Sequence, residues 1–409
     1  MTTKSHDDLI ARRRVLGGAA TALGALGLSG WAQAQTSATT PLAAPAAKPL
    51  PAYAAWKNPS AVVVHSATTI ETRRSAFGSS VITPAQQLYI RNNLPAPDAA
   101  IVENRDAWTL DVEGVKQPRS LTLAELKTLG LETVATVLQC SGNGRGFFPS
   151  KPSGTPWTVG AAGCVLWSGV PVRNVVAALG GLADGAVFIT GTGGEKLPEG
   201  VDPLSVVVER SVPIKALGDC LLAWEMNGEP LSLAHGGPLR LIVPGYQGVN
   251  NIKYIKRLAF GSTESKAKIM AHGYRMTPPG GQSSPDQASV WEMNVKSWIN
   301  GPLSDGGPVK AGLVQLHGVA FGGTRAIERV EVSTDGGQTW QTARLVGPDL
   351  GRFAWRQFSL EVKLAPGSYQ VASRAVDSAG QVQPAERVEN AHGYNNNSWR
   401  DHAISLAVA

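Results

Sequence analysis

The run Thr277-Pro278-Pro279-Gly280-Gly281-Gln282-Ser283-Ser284-Pro285 divides two stretches of different pattern and constrains the fold more than any other feature of the chain. Prolines withhold backbone donors and fix φ, and adjacent glycines loosen the backbone, so neither helix nor strand runs through it. From Val290 onward, short apolar and polar alternations recur at 313–320, 327–333, 340–345, 355–362 and 367–376. A period of two puts every second side chain on one face of a sheet. Thr334-Asp335-Gly336-Gly337, between two such runs, is a hairpin signal. The spacing predicts an immunoglobulin-like β-sandwich over 290–409, which taken alone reads as an interaction or dimerisation module. Only 390–400 breaks the alternation, because Asn, Gly, Tyr and Trp gather there as in a loop.

Before the break the pattern is mixed. Residues 61–276 combine short apolar strands with helical stretches at 122–129 and 171–179, under heavy Gly and Pro punctuation. This predicts an α+β class, with a mixed α+β domain whose long loops carry the ligand chemistry. Residues 35–60 read as a leader or linker, rich in Ala, Pro and Thr at their start. Residues 1–34 read as a twin-arginine export signal, with Arg12-Arg13-Arg14, an apolar stretch from Gly17 to Leu28 and an Ala32-Gln33-Ala34 cleavage site. The apolar stretch is shorter than the roughly 20 residues that span a bilayer. The expectation is a periplasmic protein with no membrane span, exported already folded.

Removing the signal takes away Lys4, Arg12, Arg13 and Arg14 against Asp7 and Asp8, so the formal charge falls by two, from +6 to +4. There is no basic tract with interleaved aromatics, which argues against nucleic acid. A modest positive field suits a small anion. The cysteines are Cys140, Cys164 and Cys220. Either Cys164 and Cys220 form a bridge or none forms, and an odd count leaves at least one thiol unpaired. No C-x-x-C-H occurs, so no c-type haem attachment is expected on this chain. No iron–sulfur or zinc spacing occurs either.

Cys140 follows the apolar run Val137-Leu138-Gln139, read as a strand, and opens the turn Ser141-Gly142-Asn143-Gly144-Arg145-Gly146. A thiolate is the metal-binding form of cysteine, a nearby guanidinium favours it, and soft metals prefer it. The same stretch also fits a buried structural cysteine or half of a disulfide. Tyr89-Ile90-Arg91-Asn92-Asn93-Leu94-Pro95 places an arginine and two amides before a proline-stiffened loop, suited to anionic oxygens or to a solvated turn. His235-Gly236-Gly237-Pro238-Leu239-Arg240 precedes an apolar strand, 241–245, and Asn250-Asn251-Ile252-Lys253 follows it. Basic side chains beside glycine turns suit a phosphate.

Taken together these segments resemble the sulfite oxidase family of molybdopterin enzymes, and within it the periplasmic bacterial sulfite dehydrogenases. The resemblance rests on Y-I-R-N-N-L-P, C-S-G-N-G-R, P-W-T-V-G-A-A-G with W-S-G-V-P, L-A-W-E-M-N-G, H-G-G-P-L-R and N-I-K. In the second domain it rests on R-V-E-V-S-T-D-G-G, R-A-V-D, and Gly393-Tyr394 followed by Trp399. It implies a molybdopterin cofactor with molybdenum bound by Cys140. Tyr89, Arg91, Asn92, Asn93, His235, Arg240, Asn251, Ile252 and Lys253 would hold the cofactor. Arg91 and Arg145 would position the anion, with Trp157 and Tyr274 lining its pocket, Tyr274 coupling proton movement, and His392 beside them. Asp202 would be an acidic pterin contact.

The implied activity is oxidation of sulfite to sulfate, with electrons leaving singly to an external c-type cytochrome, in a homodimer. The pattern is broken where Asn93 replaces the usual histidine and where His392 replaces the usual arginine. The alternatives are a sulfane dehydrogenase subunit of a thiosulfate-oxidising system, a reductase of methionine sulfoxide, and a non-catalytic periplasmic binding protein with an immunoglobulin-like tail.

Overall fold

The computed structural model describes residues 48–95 and 97–409; the expected export signal at 1–34 and the expected linker up to residue 47 lie outside the described residues. Up to the 277–285 break, three sheets frame the chain. One pairs Val62–Ser66, Thr69–Thr72 and Ile90–Arg91. The second runs in the order Glu229–Pro230, Leu221–Met226, Ala162–Pro171, Glu132–Gln139, with Arg240–Ile242 also pairing on Leu221–Met226. The third runs Arg119–Thr122, Thr109–Glu113, Ile255–Gly261, Phe188–Gly193, Glu209–Pro213, and its pairing of Ile255–Gly261 with Thr109–Glu113 is parallel.

The helices form where the sequence predicts them. Leu123–Lys127 opens on a capping box in which Thr122 and Glu125 satisfy each other's backbone N–H, and it buries Leu123 and Leu126. Val172–Ala178 follows Pro171 and buries Val172, Val175 and Val176. Both helices join the core that lies between the two five-stranded sheets, with Leu110, Val112, Leu222, Leu241, Leu258 and Phe260.

Ala162–Pro171 is buried at nine of its ten positions. Alternate residues enter two cores, Val165 and Trp167 on one side, Ala162 and Cys164 on the other. Cys164 is thus enclosed in apolar surroundings, and burial pushes its thiol up to about 12. Cys140, Cys164 and Cys220 are all buried free thiols, which settles the disulfide question against a Cys164–Cys220 bridge.

After the break the chain is β apart from the short helix Trp399–His402. The strands predicted at 313–320, 327–333, 340–345, 355–362 and 367–376 are found as Gly312–Phe321, Ile327–Ser333, Gln341–Val346, Arg356–Leu364 and Gly367–Asp377. Lys296–Gly301 and Ile404–Val408 complete a seven-stranded sheet. The immunoglobulin-like arrangement calls for two separate sheets, whereas these strands follow one hydrogen-bonded path from Lys296–Gly301 to Ile404–Val408. Spacing along a chain says where strands occur and leaves open how they pair. The path curls on itself: Ser297 Oγ on the first strand lies 2.9 Å from Ser373 Oγ on the sixth, and Ile299, Leu316, Val330, Phe358, Val371 and Leu406 share the enclosed core.

Candidate active site

Strand Glu132–Gln139 delivers Cys140 to the site. The Cys140 N–H donates to Ala161 O at 2.8 Å, and its carbonyl accepts from Asn143 N at 2.9 Å, which closes the turn. Gly144 adopts φ +94°, a left-handed conformation that favours glycine. A Cβ on Gly142 would meet Arg145 Nη2 at 2.5 Å, so that position must stay bare for the guanidinium to fold back over the turn.

The C-terminal part of the chain holds this turn from outside. Asn395 N donates to Ser141 O at 3.0 Å, Asn396 Nδ2 to Gly144 O at 3.0 Å, and the buried Lys296 Nζ to Asn143 O at 3.2 Å. Arg145 donates Nε to His392 O at 2.7 Å and Nη1 to Thr155 O at 3.1 Å, and lies 5.4 Å from the Tyr394 ring centre. Its Nη2 has no hydrogen-bond partner among the described residues.

Two chambers meet at Cys140. The deeper one, of roughly 630 Å³, is lined by ten of the eleven residues that the resemblance assigns to the cofactor, Asp202 being the exception: Tyr89, Arg91, Asn92, Asn93, Cys140, His235, Arg240, Asn251, Ile252 and Lys253. Several of the ten are fixed by one another. Lys253 Nζ donates to Asn92 Oδ1 at 2.5 Å and Ala234 O at 2.6 Å, and Arg240 Nη1 donates to His235 O at 2.9 Å. Asn251 ties the adjoining turns, accepting from Val243 N at 2.8 Å and donating to Gln247 O at 3.1 Å. Ile252 reaches into the core, so its contribution to the cavity is chiefly backbone.

The outer chamber, of roughly 840 Å³, carries Arg91, Arg145, Tyr274, His392 and Tyr394, and shares Arg91, Asn92, Asn93, Cys140 and Tyr274 with the inner one. Arg91 bonds its guanidinium to Asn92 O and to Asn93 Oδ1, the latter at 2.8 Å. Tyr274, at φ +52°, donates Oη to the same Asn93 Oδ1 at 3.3 Å. Its ring stacks on Tyr394 with centroids 5.1 Å apart at 14°. His392 Nε2 lies 2.9 Å from Ser283 Oγ, and burial together with the Arg145 charge moves its pKa down from the ordinary histidine value.

The electrostatics of the inner chamber are lopsided. Burial, then the Arg240 charge, holds Lys253 well below the usual lysine range. Burial, then Lys57, does the same to His235, and burial brings Arg240 to about 10. Glu195 is the only carboxylate lining the chamber, and burial raises it to about 7. Cations gathered in a low dielectric with so little negative charge repel one another. An anionic group in the chamber relieves that repulsion. The buried Asn92 Nδ2, Ser141 Oγ and Glu195 Oε2 are also without hydrogen-bond partners, as expected of atoms that meet a polar ligand. A phosphorylated pterin fits these residues, and Cys140 is the one sulfur ligand among those lining the chamber.

Two expectations are corrected. Trp157 is fully buried and lines neither chamber; its ring packs behind Tyr89, 6.3 Å between centroids, and beside His65. Asp202 is an exposed cap of the short helix Pro203–Val206, accepting from Leu204 N at 3.1 Å, and the acidic group in the chamber is Glu195 instead. Sequence reasoning also gave no site role to Tyr394 or to the buried Arg210, whose guanidinium lies 5.6 Å from the Tyr274 ring centre. Tyr394 stood next to His392 in a motif already in view, whereas nothing in the sequence around Arg210 marks it.

Comparison with known proteins agrees with this arrangement. Residues 95–269 match the family described as oxidoreductase molybdopterin binding domain, and residues 287–407 the Mo-co oxidoreductase dimerisation domain. The chain is 31% identical to the sulfite oxidase of Arabidopsis thaliana over 365 residues, covering 83% of this chain and 91% of that protein. It is 32% identical to the mitochondrial sulfite oxidase of Homo sapiens, covering 80% and 62%. It is 34% identical to a nitrate reductase [NAD(P)H] of Hordeum vulgare, of which it spans only 38%. Among solved structures, the sulfane dehydrogenase SoxCD from Paracoccus pantotrophus aligns with a TM-score of 0.70 at 24% identity, over 85% of this chain and 89% of that one, which shows a shared fold.

Proposed function

The chain belongs to the sulfite oxidase family of molybdopterin oxidoreductases, and from that premise we propose that it oxidises sulfite to sulfate and passes the electrons to an external c-type cytochrome. The observation that carries this reading is the position of Cys140 on the wall shared by a cation-rich cofactor chamber and an arginine-lined outer chamber. A metal held there faces a pocket shaped for a small anion.

Cys140 would ligate the molybdenum, and His235, Arg240, Lys253 and the Tyr89 to Asn93 loop would hold the pterin and its phosphate. When bound, the cofactor supplies the two-electron redox couple and the oxygen transfer. The chain's own residues do the rest. Arg91 and the free Nη2 of Arg145 set fixed positive charge around the substrate, which orients it and offsets its charge as water is displaced. Tyr274 holds its proton at Oη against Asn93 Oδ1, at the meeting of the chambers, placed to accompany the electrons. Sulfite and water become sulfate with release of two electrons and two protons, and a one-electron cytochrome takes the electrons in successive steps.

The twin-arginine pattern supports a periplasmic location, and the dimerisation-domain match supports a homodimer. Among the described residues no helix is long and apolar enough to cross a membrane. A second reading, oxidation of a sulfane sulfur borne on a larger carrier, draws on the outer chamber, whose roughly 840 Å³ takes in open solvent and so leaves a carrier room to approach. Cytochrome c reduction by the purified enzyme with sulfite or thiosulfate, and reduction of methionine sulfoxide and of nitrate by a reduced dye alongside, tests the proposal. Strong turnover on sulfite alone supports it, and preference for any of the others overturns it.

A further inference from the structure

Lys57 lies ahead of both family matches, in the segment that follows the short helix Ala52–Ala54, yet it is only 2% exposed. Its ammonium makes three hydrogen-bond contacts, to Ala85 O at 2.6 Å, to Leu88 O and to His235 Nε2 at 2.9 Å, and lies 4.6 Å from the Trp56 ring centre. None is a carboxylate. We propose that Lys57 is a positioning residue of the cofactor's phosphate cradle, setting the hydrogen-bonding state of His235 and adding a buried positive charge behind it; this rests on the reading of the inner chamber as a molybdopterin site.

When Lys57 is charged, as an anion in the chamber favours, its ammonium has no lone pair, so His235 Nε2 accepts from it and the ring proton resides on Nδ1. His235 lines the inner chamber, and Lys57 thereby determines which of its nitrogens donates. The packing of Trp56 edge-on to the His235 ring, 5.8 Å between centroids, holds the same segment against the histidine.

A lysine that merely stapled the N-terminal segment to residues 84–88 would be a poor choice. Burying an ammonium against neutral carbonyls carries a large desolvation penalty, and the charge of Lys253 adds repulsion. Burial lowers Lys57 well below its ordinary range, as expected while no anion answers the cluster. A phosphate in the chamber reverses that balance and favours the charged form. The effect of Lys57 should therefore differ in sign between the loaded and the cofactor-free chain.

The experiment uses holoenzyme, with molybdenum and phosphorylated pterin measured per chain and pterin release followed at fixed temperature. Lys57→Met is expected to release pterin about tenfold faster or more, and Lys57→Arg, which keeps charge and donors, to stay within about threefold of wild type. The thermal-unfolding gap between loaded and cofactor-free chains should shrink in Lys57→Met, while its cofactor-free form unfolds no earlier than cofactor-free wild type. Release within twofold of wild type, equal destabilisation of both forms, or release from Lys57→Arg as fast as from Lys57→Met overturns the role of Lys57 alone. Wild-type protein that holds no phosphorylated pterin overturns the reading of the chamber along with it.

Discussion

Arg145→Gln removes one charge from the outer chamber while keeping a polar side chain of similar reach. Arg145 is 9% exposed, two of its nitrogens are committed to His392 O and Thr155 O, and Nη2 remains for the substrate. For a substrate anion about 4 Å from the guanidinium, an effective dielectric of about 20 gives an attraction of about 4 kcal/mol. A retained neutral hydrogen bond returns about 1 kcal/mol of this, leaving a loss of about 3 kcal/mol, or about 100-fold in affinity. The charge acts on bound substrate before reaction as well as during it, so the loss should fall mainly on KM. Steady-state cytochrome c reduction across a range of sulfite concentrations separates the two constants, and molybdenum content checks that the site is still loaded. The wild-type KM should rise with ionic strength and the variant's much less. A KM within threefold of wild type, in a variant with full molybdenum content, would refute the anion role of Arg145.

His392 should act as a weak, pH-dependent substitute for a permanent cation. Its pKa is lowered from the ordinary value of about 6.5, by burial and then by Arg145, so its charge is present only at acid pH and is lost as pH rises through that lowered pKa. The ratio of wild-type KM to that of His392→Arg is expected to rise between about pH 5 and pH 7 and stay flat above; a ratio independent of pH shows that His392 is a bystander. Gly337, at φ +90°, faces Trp399 so closely that a Cβ would come within 2.3 Å of the ring. Gly337→Ala is expected to destabilise the fold by about 2–3 kcal/mol and lower Tm by several degrees, and an unchanged melting curve would contradict the packing.

The strands after the break were legible because each has one face in the core and one in solvent, which writes a period of two into the sequence. Lys296–Gly301 carries no such signal, since all six residues are buried, among them Lys296, Ser297 and Asn300. Pairing order was illegible for a different reason: partners such as Gly367–Asp377 and Ile404–Val408 meet through tertiary structure. At the site, the cofactor residues were carried by motifs, and all but Asp202 line one chamber. Trp157 misled because a motif gives a residue's neighbourhood without the direction of its side chain. Glu195 and Lys57 escaped notice because their meaning lies in what surrounds them: a chamber crowded with cations, and a histidine 178 residues away in sequence.

The central claim is tested most directly by measuring molybdenum per chain and the electrons released per sulfite, in wild type and Cys140→Ser. The account predicts close to one molybdenum per wild-type chain and two cytochrome c molecules reduced for each sulfite oxidised to sulfate. It predicts no sulfite turnover in Cys140→Ser, with the seven-stranded sheet intact. Wild-type protein without molybdenum, after expression where the cofactor is made, or full sulfite turnover without the Cys140 thiol, would contradict it.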